Sequence, residues 1–337
     1  MQRKKPKPAI IDTYDMAHKK LKSIDLFAGI GGIRIGFESA GFETIYSNDY
    51  DKHAAETYGL NFGEIDNSSL LTVTAEKGMK RVPKKFDILL GGFPCQPFSV
   101  AGSKKGFADA NRGNLLFNVI EILKKRKPRA VFLENVKHLK NHDDEKTFKR
   151  IQDELRSAGY YMKAEVLNSM THGNVPQNRE RIYIVAFRSP RTLMKFRFPE
   201  KIPLTKKMTN ILEKNVADEY YYDSRYGEIY NRLKKAVKNR NSFYQYRRIY
   251  VRELKNGMAP TLTASMGAGG HNVPIIRDAK GIRKLTPREC ARLQGFPESY
   301  VFPKNQAKMH LYKQIGNSVT IPVISRIAEN IRIALES

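Results

Sequence analysis

Two cysteines in 337 residues, Cys95 and Cys290, are too few for a disulfide framework. That scarcity excludes a cysteine-stapled secreted scaffold and points to a reducing, intracellular compartment. Long apolar runs are missing as well: hydrophobic residues make up 41% of the chain, yet none of their runs approaches the roughly 18 residues that cross a bilayer. The first 20 residues are basic and lack the apolar centre of a signal peptide, so they read as a loose arm. Acidic residues are also scarce, with 34 Asp and Glu against 60 Lys and Arg, a formal net charge of +26. Such a surplus costs self-repulsion that a polyanion relieves. Nucleic acid is the natural partner, because each neutralised phosphate releases condensed counterions. Charge nominates a partner and leaves the reaction open. A chain of this length buries a sizeable core, and about two domains are expected.

From Ser23 onward, short apolar runs alternate with amphipathic segments. Strands are expected at Ile24–Phe27, Thr44–Asp49, Phe86–Leu90, Ala130–Leu133, Lys163–Leu167 and Arg181–Phe187. Helices are expected after Gly32, over Leu115–Lys125 and over Phe148–Ala158. This alternation predicts a parallel, doubly wound α/β sheet, whose ligands sit beyond the carboxyl ends of the strands. Gly29, Asp49, Cys95 and Glu134 all follow such ends. After Phe187 the rhythm fades. Residues 188 to 280 carry 20 Lys and Arg against 8 Asp and Glu, with aromatics interleaved, as in Tyr220-Tyr221-Tyr222 and Phe243-Tyr244-Gln245-Tyr246-Arg247-Arg248. A second, smaller domain is expected there. Thr286-Pro287-Arg288-Glu289 then gives a helix-start signature, and Val323, Ile327 and Ile331 mark the buried face of a last helix.

Four segments carry chemistry. Asp25-Leu26-Phe27-Ala28-Gly29-Ile30-Gly31-Gly32 is a glycine loop between a strand and a helix, suited to close approach of a bound nucleoside. Asp49 lies 20 residues after Gly29, where an acid binds ribose hydroxyls. A dinucleotide fingerprint would require a third glycine at position 34, which is Arg34; the loop alone does not separate NAD from S-adenosylmethionine. Gly91-Gly92-Phe93-Pro94-Cys95-Gln96-Pro97-Phe98-Ser99 sets a cysteine between two prolines just past a buried strand. A structural cysteine more often sits inside an apolar run, as Cys290 does. Glu134 ends a strand, where an isolated acid is usually solvated. Arg179 and Arg181 stand two apart at the start of another; they are expected to point to opposite faces, one toward the site and one paired elsewhere.

Taken in order, these segments resemble the motifs of the cytosine-5 DNA methyltransferases, joined by Arg288-Glu289-Cys290-Ala291-Arg292-Leu293-Gln294-Gly295-Phe296-Pro297 and Gln314-Ile315-Gly316-Asn317-Ser318-Val319. The resemblance covers roughly Lys22 to the C-terminus. It implies a Rossmann-like, S-adenosylmethionine-dependent methyltransferase domain at 21–187 and 312–337, with an irregular target-recognition domain at 188–311. Cys95 would be the nucleophile, Glu134 would contact the cytosine ring nitrogen, and Arg181, supported by Arg179, would hold the base. Phe27, Ala28, Gly29, Ile30, Gly31 and Gly32 would line the cosubstrate pocket, with Pro94 and Leu115 beside them. Asp49 would bind the ribose, Tyr50 would pack on the adenine, Asp66 would lie near its amino group, and Asn317 and Ser318 would close the far side. Relatives often carry Glu at position 49 and Trp at 50; Tyr keeps the aromatic face. No metal is implied.

Ser99 to Arg112, rich in Gly, Ser and Lys, matches the family's mobile catalytic loop, with Gln96, Ser99 and Arg112 toward the DNA. In the variable region Arg247, Arg248 and Arg252 are candidates for guanine edges, although phosphate contact is the commoner use of such residues. Thr261–Ser265 is a candidate groove loop. The expected protein is a cytoplasmic, nucleoid-associated monomer acting on double-stranded DNA beside a cognate restriction endonuclease. The tRNA-methylating branch would carry a Cys-Phe-Thr signature in this region, and no cysteine falls between Cys95 and Cys290. An NAD-dependent oxidoreductase leaves the Pro94-Cys95 loop unexplained. A silent DNA-binding relative has no need of Cys95, Glu134 and Arg181 together.

Overall fold

The computed structural model describes residues 20–75, 77–94, 115–247, 249–268 and 272–337. Its first half runs β1 (Leu21–Leu26), α1 (Gly32–Ser39), β2 (Phe42–Asn48), α2 (Lys52–Phe62), α3 (Leu70–Thr74), β3 (Ile88–Gly91), α4 (Leu115–Arg126) and β4 (Ala130–Val136). There follow α5 (Lys146–Ser157), β5 (Tyr161–Asn168), α6 (Ser169–Gly173), β6 (Glu180–Phe187) and α7 (Pro190–Lys195). These six strands form one sheet in the order β2-β1-β3-β4-β6-β5. The first four are parallel, and their order steps outward to β2 and then back across β1 to β3. Ligands of open α/β sheets bind at such a switch point.

Both faces of the sheet are covered, so its strands read as continuous apolar runs. Alternate residues still part cleanly. Ile24, Leu26, Leu89, Val131 and Leu133 pack with α3, α4 and α5 on one face. Ile88, Leu90 and Phe132 pack on the other with Phe37 of α1 and with Ile324, Ile327 and Ile331 of α11 (Ile321–Glu336). The last helix thus shares a core with the first.

One expectation about the sheet is corrected: β6 runs antiparallel between β4 and β5. Only 11 residues join β5 to β6, and a parallel return needs a crossover of about a dozen or more. The strand therefore turns back beside its predecessor.

The basic, aromatic region contains α8 (Glu228–Ala236), β7 (Phe243–Arg247), β8 (Tyr250–Leu254), β9 (Ile275–Arg277) and β10 (Ile282–Lys284). The four strands make an antiparallel sheet ordered β10-β9-β7-β8. Tyr222, Leu233, Tyr244, Ile275 and Ile282 form its small core. A further apolar cluster runs from Ile30 and Ala54 through Phe243, Leu262 and Leu285 to Leu293 and Ile315. It joins this region to α9 (Pro287–Gln294) and α10 (Lys308–Asn317).

Helix α9 starts as its sequence indicated. Thr286 accepts from the Glu289 N–H, and the Glu289 carboxylate accepts from the Thr286 N–H. The same fully buried carboxylate takes two hydrogen bonds from Arg283 of β10, each 2.7 Å, and one from the Glu213 N–H. No helix among the described residues is long and apolar enough to cross a membrane.

Candidate active site

The glycine loop leaves β1 at its carboxyl end. Phe27 and Gly29 both have positive φ, at 57° and 53°. Gly29 adopts that turn without a Cβ penalty, and a Cβ built there would meet nothing within 4 Å, so the loop opens to solvent at this point. Its N–H donates to the Asp49 carboxylate at 2.8 Å. The other Asp49 oxygen accepts from the Asp51 N–H at 2.8 Å. Burial raises the Asp49 pKa, against the pull of those two hydrogen bonds. Asp49 is therefore fixed at the lip of the opening, and its carboxylate oxygens have lone pairs left for sugar hydroxyls. Tyr50 beside it is 73% exposed, an aromatic face free to cover a flat ring.

The far side of the opening is also in place. A Cβ on Gly32 would come within 2.6 Å of the Ser318 Oγ and 3.0 Å of a Val319 methyl, so the two segments approach closely here. Asn317 is exposed at the end of α10. Helices α2 and α10 are held together by Lys313–Asp51 at 2.9 Å and by Thr57–Gln314 at 2.9 Å. Ala28 and Ile30 are buried; the Ala28 N–H bonds the Asn48 carbonyl, and the Tyr300 hydroxyl bonds the Ile30 carbonyl. Asp66 pairs its main chain with Asn48 at the sheet edge, but its carboxylate already accepts from Tyr46, Arg81 and the Ser68 N–H. Leu115 and Phe27 pack, half-buried, on the same apolar cluster.

A second group assembles at the ends of β3 and β4. The Asn135 side chain donates to the Phe93 carbonyl at 2.9 Å and so ties the exposed Pro94 segment to β4. Glu134 is 8% exposed, and its Oε1 lies 3.3 Å from the Arg181 Nε, with no hydrogen bond to it among the described residues. Burial raises the Glu134 pKa, opposed by Arg181 and Arg179. A buried carboxyl that keeps its proton is suited to donate it to a ring nitrogen.

The expectation that Arg179 and Arg181 point to opposite faces is overturned. Residues two apart on a strand share a face. In the β4–β6 register Arg181 stands opposite Val136, on the Glu134 side, and both guanidinium charges act on that carboxyl. They differ in their partners instead. Arg181 reaches the site, whereas Arg179 is 2% exposed and bonds the carbonyls of Leu262, Gly316 and Ser318.

Beside Arg181 opens a cleft of about 460 Å³, walled by Val136, Lys137, His138, Asn178 and Thr261. A second cleft of about 350 Å³ shares Asn178 and Thr261 and extends to Gln245, Arg247 and Arg252. Gln245 faces Arg252 directly across the β7–β8 pair, so both project on the cleft side. Thr263 and Ser265 line the same cleft. Cys95, Gln96, Ser99, Arg112 and Arg248 lie outside the described residues.

Sequence reasoning passed over Asp25. It is fully buried in β1, both its oxygens lack a hydrogen-bond partner among the described residues, and burial pushes its pKa up to about 8. An acid inside the apolar run Ile24-Asp25-Leu26 was the available signal.

The sequence profile of a family described as C-5 cytosine-specific DNA methylase matches residues 21–332. Among curated proteins, the chain is 50% identical to the Type II methyltransferase M.Bsp6I of Bacillus sp. (strain RFL6), covering 92% of this chain and 98% of that protein. It is 39% identical to the Type II methyltransferase M.HhaI of Haemophilus parahaemolyticus, over 96% and 97% of the two chains. In three dimensions it resembles a mutant DNMT2 of Spodoptera frugiperda, with a TM-score of 0.72 at 20% identity over 93% of this chain and 100% of that one. A putative prophage-encoded DNA modification methyltransferase of E. coli gives a TM-score of 0.69 at 22% identity, over 94% and 100%. At these identities the structural likenesses establish the fold.

Proposed function

The chain belongs to the C-5 cytosine-specific DNA methylases, and we propose that it is the modification enzyme of a Type II restriction–modification pair, with Cys95 as nucleophile. The observation that carries the chemistry is the buried Glu134 carboxyl, 3.3 Å from the Arg181 guanidinium and tied through its neighbour Asn135 to the segment that leads into Cys95. S-adenosylmethionine supplies an electrophilic methyl group on a sulfonium. The residues present suit that molecule: an open glycine turn at Gly29, a fixed acid at Asp49, an exposed ring at Tyr50 and a polar lip at Asn317 and Ser318. Asp66 serves the adenine end as part of the wall, its carboxylate being shared with Tyr46 and Arg81.

The protein's own groups then divide the work. Carbon 5 of cytosine is a poor nucleophile, and addition of the Cys95 thiolate to carbon 6 makes it enamine-like. A free thiol has a pKa of about 8.5, so the thiolate must be favoured locally or its proton removed during attack. Charge moves into the ring as the carbon–sulfur bond forms. Glu134 offsets it by giving its proton to nitrogen 3, and Arg181 orients both carboxyl and base. After methylation a base takes the carbon-5 proton, the carbon–sulfur bond breaks to release the thiolate, and nitrogen 3 returns its proton to Glu134, which restores the neutral ring and the acid. The cytosine reaches this site by rotating out of the duplex, at a cost of a few kcal/mol. The cleft from Arg181 to Arg252 is the proposed path of the DNA, with Arg247 and Arg252 on its far bank; Arg248 is assigned to the same contact from the sequence alone. Gln96, Ser99 and Arg112 are assigned to the loop that closes over it.

In this reading 21–187 with 312–337 form the catalytic domain, 188–311 form the target-recognition domain, and 1–20 form a basic arm. The protein acts as a cytoplasmic monomer, since one chain supplies both the glycine loop and the Glu134–Arg181 pair. Replacing Cys95 by Gly is expected to abolish methyl transfer and leave DNA binding largely intact. Turnover retained in that variant would remove Cys95 from the mechanism.

A further inference from the structure

Arg179 occupies an unusual place among the buried cations. Its Nη1 donates to the Leu262 carbonyl at 2.6 Å, and its Nη2 donates to the carbonyls of Gly316, at 3.3 Å, and of Ser318. Leu262 belongs to the loop whose Thr261, Thr263 and Ser265 line the second cleft. Gly316 and Ser318 belong to the segment that meets the glycine loop at Gly32. One planar guanidinium thus bonds the backbone of the DNA-side loop and the backbone of the cosubstrate lip. The two segments also touch directly: a Cβ on Gly316 would fall 2.1 Å from the Thr263 carbonyl oxygen. Around them Gln177 accepts from the Leu262 N–H and donates to the Leu293 carbonyl, closing the network. Burial and the neighbouring Arg181 push the Arg179 pKa down to about 9, so the group stays charged at neutral pH.

We propose that Arg179 is a positioning residue that joins the grip on DNA to occupancy of the cosubstrate pocket, so that each ligand tightens the binding of the other. It acts through Leu262 on one side and through Gly316 and Ser318 on the other. Lysine cannot replace it, because an ammonium is a point donor and lacks the rigid fork that reaches several carbonyls at once. The proposal rests on the placement of the cosubstrate between Asp49 and Ser318 given above.

The test is a binding cycle that does not depend on turnover. Affinity for a duplex carrying the methylated site, as mapped by sequencing, is measured with and without saturating S-adenosylhomocysteine, in wild type and in Arg179→Lys and Arg179→Gln. Couplings between sites typically amount to 5- to 150-fold. Wild type is expected to bind DNA at least about 5-fold more tightly with the nucleoside present, and linkage requires the same factor for the nucleoside when DNA is present. In Arg179→Lys that factor is expected to fall within about twofold of unity, with the variant still folded at the assay temperature and the nucleoside alone still bound. Arg179→Gln is expected to lose the factor too, at lower stability. Wild type binding both ligands with no mutual effect would overturn the proposal alone. So would a lysine variant that keeps the full factor, or one that loses both affinities in parallel with stability while its factor is unchanged. Failure of wild type to bind either ligand would instead overturn the placement beneath it.

Discussion

Replacing Glu134 by Gln isolates the proton that the proposed chemistry needs. The two side chains have nearly the same size, and Glu134 is only 8% exposed. Folding should therefore survive. Gln keeps a hydrogen-bond donor for the ring nitrogen but has no proton to transfer. General acid catalysis contributes about 10²- to 10⁴-fold, which corresponds to about 3–5 kcal/mol at 1.36 kcal/mol per decade. The variant should lose at least two decades in kcat. KM for S-adenosylmethionine should stay within about twofold, because Asp49 and Tyr50 belong to the separate glycine-loop group. Arg181 loses its carboxyl neighbour at 3.3 Å but keeps its bond to the Glu180 carbonyl. The pH dependence has a defined sign. Burial raises the Glu134 pKa, the acid works only while protonated, and so the wild-type rate falls as pH rises through that raised value. The glutamine variant lacks this limb. Tritiated methyl transfer under single-turnover conditions, followed from pH 5 to 9 with melting curves alongside, reads both effects. A kcat within about threefold of wild type, or an unchanged alkaline limb, would refute the assignment of the acid.

Three further perturbations test the surrounding structure. Asp25→Asn addresses a carboxyl whose pKa is pushed up to about 8 by burial; the folded protein holds a proton that the unfolded chain releases above about pH 4, so the stability this group contributes is present below that pH and is lost as pH rises through 8. The variant should therefore gain on wild type between pH 5 and 9 in urea unfolding, by up to about 6 kcal/mol at 1.36 kcal/mol per unit, and a variant weaker than wild type at pH 9 would contradict this. Glu289→Ala leaves the 1% exposed Arg283 side chain without its bidentate partner, and the loss should be about 3–5 kcal/mol; a loss under 1 kcal/mol would mean Asp278 alone suffices. Asp49→Ala removes a carboxylate held by two N–H groups at the pocket lip, and at about 1.5–3 kcal/mol for hydrogen bonds to a charged group KM for S-adenosylmethionine should rise about 10- to 150-fold. Isothermal titration with S-adenosylhomocysteine gives the same number without turnover, and unchanged affinity would move the ribose contact elsewhere.

Local signals carried much of this architecture. The buried strand from Ile24, the glycine turn at Gly29 and the acid at Asp49 depend on neighbours in sequence or on a single strand–helix unit, and the structure has all of them. The capping box at Thr286 and Glu289 is equally local. Where partners are distant the sequence was silent or misleading. Arg179 finds Leu262 and Gly316 at separations of 83 and 137 residues, so nothing in Gln177-Asn178-Arg179 distinguishes it from Arg181. The reversal of β6 follows from a short connection whose geometry no periodicity expresses. Strands β9 and β10 have three residues each, too short for an alternation to register. The open valences of Asp25 are a property of what surrounds β1, and a buried strand alone does not reveal them.

Base-resolution mapping of 5-methylcytosine, after incubating the full-length protein and S-adenosylmethionine with unmethylated genomic DNA, tests the central claim most directly. The account predicts methylation at carbon 5 of one cytosine within one short recurring sequence, on both strands. Folded protein that binds the cosubstrate yet leaves no 5-methylcytosine in the DNA would contradict it.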